Sequence, residues 1–361
     1  MAELATTIIS DRRKWALGIA KLISIIGYKY LAHPVMEIHE DFPPLRNKNS
    51  VFFFAGLHKS LWETSGILAG LYLNLDKFEI PYAGMGDNLV RGKFFQSLAK
   101  KIGIFLVKRV DSRKGILESA KLLKDFTFHL ISRGKDVMVF PEGTRKNIVT
   151  QGSYGQFFPT VFEALLEYEK NKENILAADK DLKPYDAYII PTNVDYSKIR
   201  EDKEMLADHK KPRTLHVLDS LKMVRHIRET HISIGKPIRV ADHLEKSRKE
   251  LAAYTRERCI ELVKILPINV VSQAIVDSAT DDRLEIGNVE ENIRRTMQKL
   301  APFSDHFRGF SPDDPPASLL EKVAGYESTF KPKYIHIGNL DFYRLYANYI
   351  GHYYTQGDSF R

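Results

Sequence analysis

Residues 51–66, VFFFAGLHKSLWETSG, decide how the rest of the chain is read. Val51, Phe52, Phe53 and Phe54 form an apolar run that suits a buried strand, and Ser60 then precedes helix-forming residues, so the stretch reads as a strand–turn–helix corner. His58 stands at this corner, five positions ahead of Glu63. If the helix begins at Ser60 or Leu61, Glu63 lies in its first turn and folds back toward the imidazole. A carboxylate on one ring nitrogen fixes the tautomer and stabilises the imidazolium, leaving the other nitrogen to act as a base. A surface histidine followed by a surface glutamate is the ordinary alternative, and the remaining sequence has to choose.

Outward from this corner, short apolar runs alternate with amphipathic stretches. Strands are expected at 51–55, 104–107, 137–140, 188–192 and 232–235, and helices around 61–73, 91–102, 114–133 and 158–170. Alternation of this kind predicts an α/β fold with a mixed, largely parallel sheet flanked by helices. Residues 171–186 read as a polar excursion, and from about 241 the pattern becomes a helical C-terminal region with a proline-rich, acidic loop at 311–316. Three parts are expected: an N-terminal amphipathic segment (1–49), the α/β domain (50–240) and the helical region (241–361). Within the first part, residues 15–32 are apolar but interrupted by Lys21 and Lys29, which is marginal for a bilayer span. A helix lying in a membrane surface and a helix docked on the protein's own core both fit this pattern.

The totals exclude several classes. Of 361 residues, 43% are hydrophobic and 28% charged, the balance of a globular protein. One cysteine, Cys259, rules out an intrachain disulfide and a thiolate metal cluster, and fits a reducing compartment. The net charge of +8 attracts anions: phosphorylated metabolites, coenzyme A, acidic lipid or nucleic acid. The basic residues are dispersed, so no nucleic-acid-binding arm is expected. A glycine-rich nucleotide loop is absent, and no metal-ligand spacing or cofactor motif is found.

Three further segments carry chemistry. GIFLVKRVD (103–111) is an apolar strand ending in Lys108 and Arg109, cations that can face the same crevice as the His58 turn, although for this piece in isolation solvated charges flanking a strand are the preferred reading. VMVFPEGTRKN (137–147) runs from a strand into Pro141, Glu142, Gly143, Thr144 and Arg145. Glycine there permits a tight turn or close ligand approach, and Arg145 offers a planar fork for phosphate. AYIIPTNVDYS (187–197) reads as a buried strand broken by Pro191 that shapes a pocket wall.

In order and spacing, these blocks resemble the glycerolipid acyltransferase superfamily. That family has a His-x4-Asp block, a Gly-x-x-Phe-Ile-x-Arg block, a Phe-Pro-Glu-Gly-Thr-Arg block and a late proline-bearing strand, here 58–63, 103–109, 140–145 and 189–194. The third block matches completely. GMGDNLVRGKFF (84–95), ISIGKPIRV (232–240) and LYANYIGHYY (345–354) resemble the branch acting on glycerol 3-phosphate and dihydroxyacetone phosphate. Larger members of that branch continue past this last helix, so a short or truncated version is expected. Two departures are visible: Glu63 replaces the family's aspartate, and Lys59 stands where the larger branch has arginine.

The resemblance implies an O-acyltransferase of phospholipid biosynthesis. It would move a fatty acyl group from acyl-CoA or acyl carrier protein to glycerol 3-phosphate. Dihydroxyacetone phosphate and lysophosphatidate are the alternative acceptors, and a non-catalytic lipid-binding relative is the distant alternative. It implies His58 as base and Glu63 as its orienter, with Arg109, Arg145 and Lys108 as phosphate ligands and Glu142, Gly143 and Thr144 shaping the acceptor pocket. Cys259 lies outside every block, so direct transfer is expected, with no cofactor. The implied location is a membrane surface on the cytoplasmic face.

Overall fold

The computed structural model describes residues 34–46, 49–60, 63–75, 79–86, 93–107, 113–143, 148, 152–198, 206, 230–279, 283–324, 328–331, 334–337 and 339–357, with isolated positions 16–18, 21, 22 and 25. Its elements run β1 (Pro34–Ile38), α1 (Phe42–Leu45), β2 (Ser50–Gly56), α2 (Glu63–Asn74), β3 (Tyr82–Gly86), α3 (Lys93–Lys101), β4 (Ile104–Val107), α4 (Arg113–Ser132), β5 (Val137–Val139), α5 (Thr160–Ala178), β6 (Asp186–Tyr196), β7 (Thr230–Ile234) and β8 (Ile238–Arg239). The C-terminal region follows with α6 (Arg248–Ile260), α7 (Pro267–Ser278), β9 (Arg283–Glu285), α8 (Ile286–Leu300), α9 (Pro316–Val323), β10 (Ser328–Lys331), β11 (Tyr334–Ile337), α10 (Leu340–Asn348) and α11 (Gly351–Gly357).

The expected α/β fold is present. Strand order in the main sheet is β1-β7-β6-β2-β5-β3-β4, with β8 also pairing β6. From β6 to β4 all pairings are parallel, while β7 and β8 join β6 antiparallel. β2 is central, which its composition explains. A strand flanked on both edges and covered on both faces reads as a continuous apolar run. Its side chains alternate faces: Phe52 and Phe54 pack on Phe42 at 5.3 and 5.9 Å between ring centres, while Phe53 points the other way onto Phe162 of α5 at 5.9 Å.

Two expectations need correction. Residues 171–178, read as part of a polar excursion, continue α5 to Ala178. Lysine and glutamate are good helix formers, and Lys172 bridges Glu169 at 2.8 Å and Asp186 at 3.1 Å, so the polar stretch is stabilised as helix. Pro191 does not break β6, which runs unbroken through it. The Pro191 carbonyl accepts the Gly235 N–H at 2.8 Å, so its missing N–H faces the gap between β7 and β8, where the ladder needs no donor. The C-terminal region also contains a small antiparallel sheet, β10-β11-β9, which was not expected.

Within the expected N-terminal segment, residues 34–46 form β1 and α1, whereas most of 1–33, including the amphipathic stretch 15–32, falls outside the described residues. Among its described positions Ala16 is buried, and the Lys21 ammonium lies 4.5 Å from the Tyr72 ring centre on α2. No helix among the described residues is long and apolar enough to cross a membrane.

β1 is tied to the C-terminal region through Glu37, whose carboxylate accepts from Lys264 Nζ at 2.7 Å and Arg308 Nε at 2.6 Å. Burial pushes this carboxyl's pKa up, but the hydrogen bonds from Arg308 and Lys264 outweigh it and hold the pKa at about 2, below the ordinary 4.5. A depressed folded-state pKa means that the stabilisation is complete above about 4.5 and is lost as pH falls through about 2. Wild type should therefore melt higher than Glu37→Gln at pH 6, and the gap should close between pH 4.5 and 2 in paired thermal melts.

Candidate active site

The parallel register creates the site. Ala55 of β2 pairs with Val139 of β5, so the turns that follow these strands emerge side by side at one sheet edge. Carboxyl edges of parallel strands are where α/β folds place ligands. The first turn carries His58, Lys59 and Ser60 into α2, and the second carries Phe140, Pro141, Glu142 and Gly143. The His58 imidazole stacks on the Phe140 ring at 4.9 Å with an interplanar angle of 18°. Gly56 makes that stacking sterically feasible: a Cβ there would meet Thr192 Oγ1 at 2.7 Å and the Phe140 ring at 3.0 Å.

His58 and Glu63 meet, with Nδ1 2.7 Å from Oε2. The other carboxylate oxygen, Oε1, accepts the backbone N–H of Lys59 and that of Ser60, the latter at 2.5 Å. Glu63 lies in the first turn of α2 and its carboxylate bonds backbone N–H groups that precede it, where a negative group is favoured. Two backbone donors on Oε1 favour the ionised carboxylate, and an ionised carboxylate as acceptor selects the imidazole tautomer with its proton on Nδ1. The extra methylene relative to aspartate is used here: one side chain spans from the head of the helix to the imidazole. Glu63→Asp retracts that carboxylate, and because a misplacement of ~1 Å costs on the order of 100-fold, turnover should fall by about 10- to 100-fold. A kcat for Glu63→Asp at or above wild type would contradict this reading of the geometry.

Glu142 is buried and uses both oxygens on backbone: Oε1 accepts the His58 N–H at 2.8 Å and Oε2 accepts the Gly155 N–H at 2.8 Å. Burial raises its pKa, while these two N–H groups act against that rise. Glu142 thus staples the His58 turn to the loop before α5. Gly143 follows with φ of 67°, a left-handed conformation, and the Phe158 ring lies 2.7 Å from where its Cβ would be. Lys108, Arg109, Thr144 and Arg145 lie outside the described residues. β4 nevertheless ends at Val107 on the same sheet edge as β2 and β5.

One cluster was missed from sequence. The Lys59 ammonium, 1% exposed as a residue, pairs with buried Asp195 of β6. Asp195 also accepts from Asn193 Nδ2 at 2.6 Å and from the Lys264 N–H at 2.8 Å. The Tyr154 and Tyr349 ring centres lie 5.5 and 5.4 Å from the ammonium. Burial, with Lys59's charge next in weight, pulls the nearby His352 pKa down to about 3. Asn193 and Asp195 did carry a signal: polar residues two apart in an otherwise buried strand share one face and need partners.

The C-terminal helices close on this site. Arg256 of α6 donates to the carbonyls of Gly155 and Tyr154, each at 2.7 Å, and Asn348 Nδ2 donates to the Ile148 carbonyl at 2.9 Å. Cys259 is fully buried, its thiol 3.3 Å from the Ala55 carbonyl, and burial raises its pKa.

The structure thus places a histidine–carboxylate pair, buttressed by a buried glutamate, at the carboxyl edge of the parallel part of an α/β sheet. Residues 50–195 match the family model described as Acyltransferase, a span that runs from the start of β2 to Asp195 and contains both turns. The match supports acyl transfer as the general activity and implies an acyl donor and an acceptor. No curated protein matches the chain.

Proposed function

We propose that this protein transfers a fatty acyl group from a thioester, acyl-CoA or acyl carrier protein, to the hydroxyl of glycerol 3-phosphate at a membrane surface. The observation that carries this reading is the His58–Glu63 pair at 2.7 Å, held from behind by two backbone N–H groups. With the Nδ1 proton directed to Glu63, Nε2 takes the acceptor's hydroxyl proton as that oxygen attacks the thioester carbonyl. Collapse of the tetrahedral intermediate expels the thiolate, which recovers the proton from the imidazolium. Water competes poorly if the acceptor is held in place first, and phosphate gives the cations something to hold.

Arg109 and Arg145, assisted by Lys108, are the proposed phosphate ligands, because guanidinium forks match phosphate oxygens in pairs. Glu142, Gly143 and Thr144 would form the acceptor wall. Within that wall Glu142 already spends both oxygens on backbone N–H groups, so its part is to shape the pocket. The net charge of +8 supports both a phosphate-bearing acceptor and an acidic lipid surface.

The acceptor is tested by kcat/KM for glycerol 3-phosphate, dihydroxyacetone phosphate and lysophosphatidate with one long-chain donor. Glycerol 3-phosphate should lead. A lead for either of the others keeps the chemistry and replaces the proposed acceptor.

A further inference from the structure

The Lys59 side chain follows the base immediately in sequence, and a cation beside a phosphate-handling site would ordinarily be assigned to substrate. Its burial argues otherwise. The residue is 1% exposed, its ammonium is engaged by Asp195, and two tyrosine rings flank it. An ammonium in that position reaches no ligand in the crevice without breaking the ion pair.

The pair instead joins three pieces of chain. Lys59 belongs to the His58 turn and its own backbone N–H is one of the two that fix Glu63. Asp195 belongs to β6 and is itself held by Asn193 and by the Lys264 N–H. Tyr349, at the end of α10, lies against the ammonium, and its carbonyl accepts the Tyr154 hydroxyl at 3.1 Å. Anything that shifts the ammonium therefore shifts the backbone that aims Glu63 at His58.

We propose that the buried Lys59–Asp195 ion pair is a positioning device for the His58–Glu63 couple, and that through Tyr349 it makes the C-terminal helices part of the active-site frame. Its kinetic meaning rests on the proposed role of His58 as base, but its geometric meaning does not. Lys59 and Asp195 are positioning residues that set the rate without contributing to acceptor affinity.

The test uses the full chain labelled with 15N-histidine. In wild type the His58 Nδ1–H held by Glu63 should give a low-field proton signal that vanishes in His58→Gln. The double variant Lys59→Met/Asp195→Leu removes both charges together and so avoids stranding either one in the interior. We expect it to remain folded by circular dichroism, to lose or broaden that signal, and to lower kcat by about 10- to 100-fold with the acceptor KM within about twofold. Lys59→Arg, which keeps the charge, should retain the signal and most of the rate. Should the double variant not fold, Asn193→Ala relaxes Asp195 more gently and should show the same pattern in smaller degree.

An unchanged signal and kcat in the folded variant would overturn the proposal, as would a raised acceptor KM at constant kcat, the mark of a substrate cation. If wild type transfers no acyl group, the proposed function fails while the proton signal still decides this inference.

Discussion

His58→Ala should lower acyl transfer by about 10²–10⁴-fold, the range a positioned general base contributes, with the fold retained. The structure explains both halves of that expectation. The imidazole is the group that Glu63 orients. Removing it leaves Glu63 with its two backbone donors and vacates a stacking partner of Phe140 without opening the sheet, whose core rings lie on Phe42 and Phe162. Because the imidazole is proposed to take a proton from the acceptor and not to hold the donor, KM for the donor should change little and the loss should appear in kcat. Circular dichroism and a thermal melt alongside the rate measurement separate lost chemistry from lost structure.

Glu142→Ala should be the most destabilising single change among the residues facing this edge, a loss of structure more than of chemistry. It takes the carboxylate partner from the N–H groups of His58, which is part-buried, and of Gly155, which is buried. Each unsatisfied group costs about 1–3 kcal/mol, offset in part because burial of the carboxylate was itself unfavourable. Against a total stability of roughly 5–15 kcal/mol for a folded domain, a clear drop in Tm is expected. Activity should fall further than stability alone accounts for, since the His58 backbone loses its anchor. Glu142→Gln is the informative companion. Its amide oxygen can serve one N–H, but its NH2 then faces the other donor, so Tm should fall between wild type and alanine. A Gln variant melting at or above wild type would mean that the two N–H groups do not depend on the carboxylate.

The readable part of this molecule was the part where local pattern and tertiary role coincide. The run Val51–Phe54 is apolar because β2 is covered on both faces, and β4, written as Ile104–Val107, is the strand expected at that position. His58 and Glu63 were legible as a pair because the helix start brings residues five apart together, a local consequence of sequence. β3 was not legible: YAGMG offers two glycines and an alanine in place of an apolar run, and it is a strand because β4 and β5 pair with it. β1 was folded into the expected N-terminal segment because its partner, β7, lies almost two hundred residues later. The same holds for Lys59 and Asp195, 136 positions apart, whose pairing depends on how β2 and β6 lie side by side. Long-range pairing of charge leaves its trace only as a polar face in a buried strand.

The central claim is that a thioester-bound acyl group passes to a phosphate-bearing alcohol at this sheet edge. Acceptor-dependent release of coenzyme A thiol from a long-chain acyl-CoA, measured together with formation of radiolabelled acyl glycerol phosphate, tests it most directly. The account predicts one thiol released per product formed, with negligible release when glycerol 3-phosphate is withheld. No acceptor-dependent release from acyl-CoA or acyl carrier protein, with dihydroxyacetone phosphate and lysophosphatidate equally inert, would contradict it.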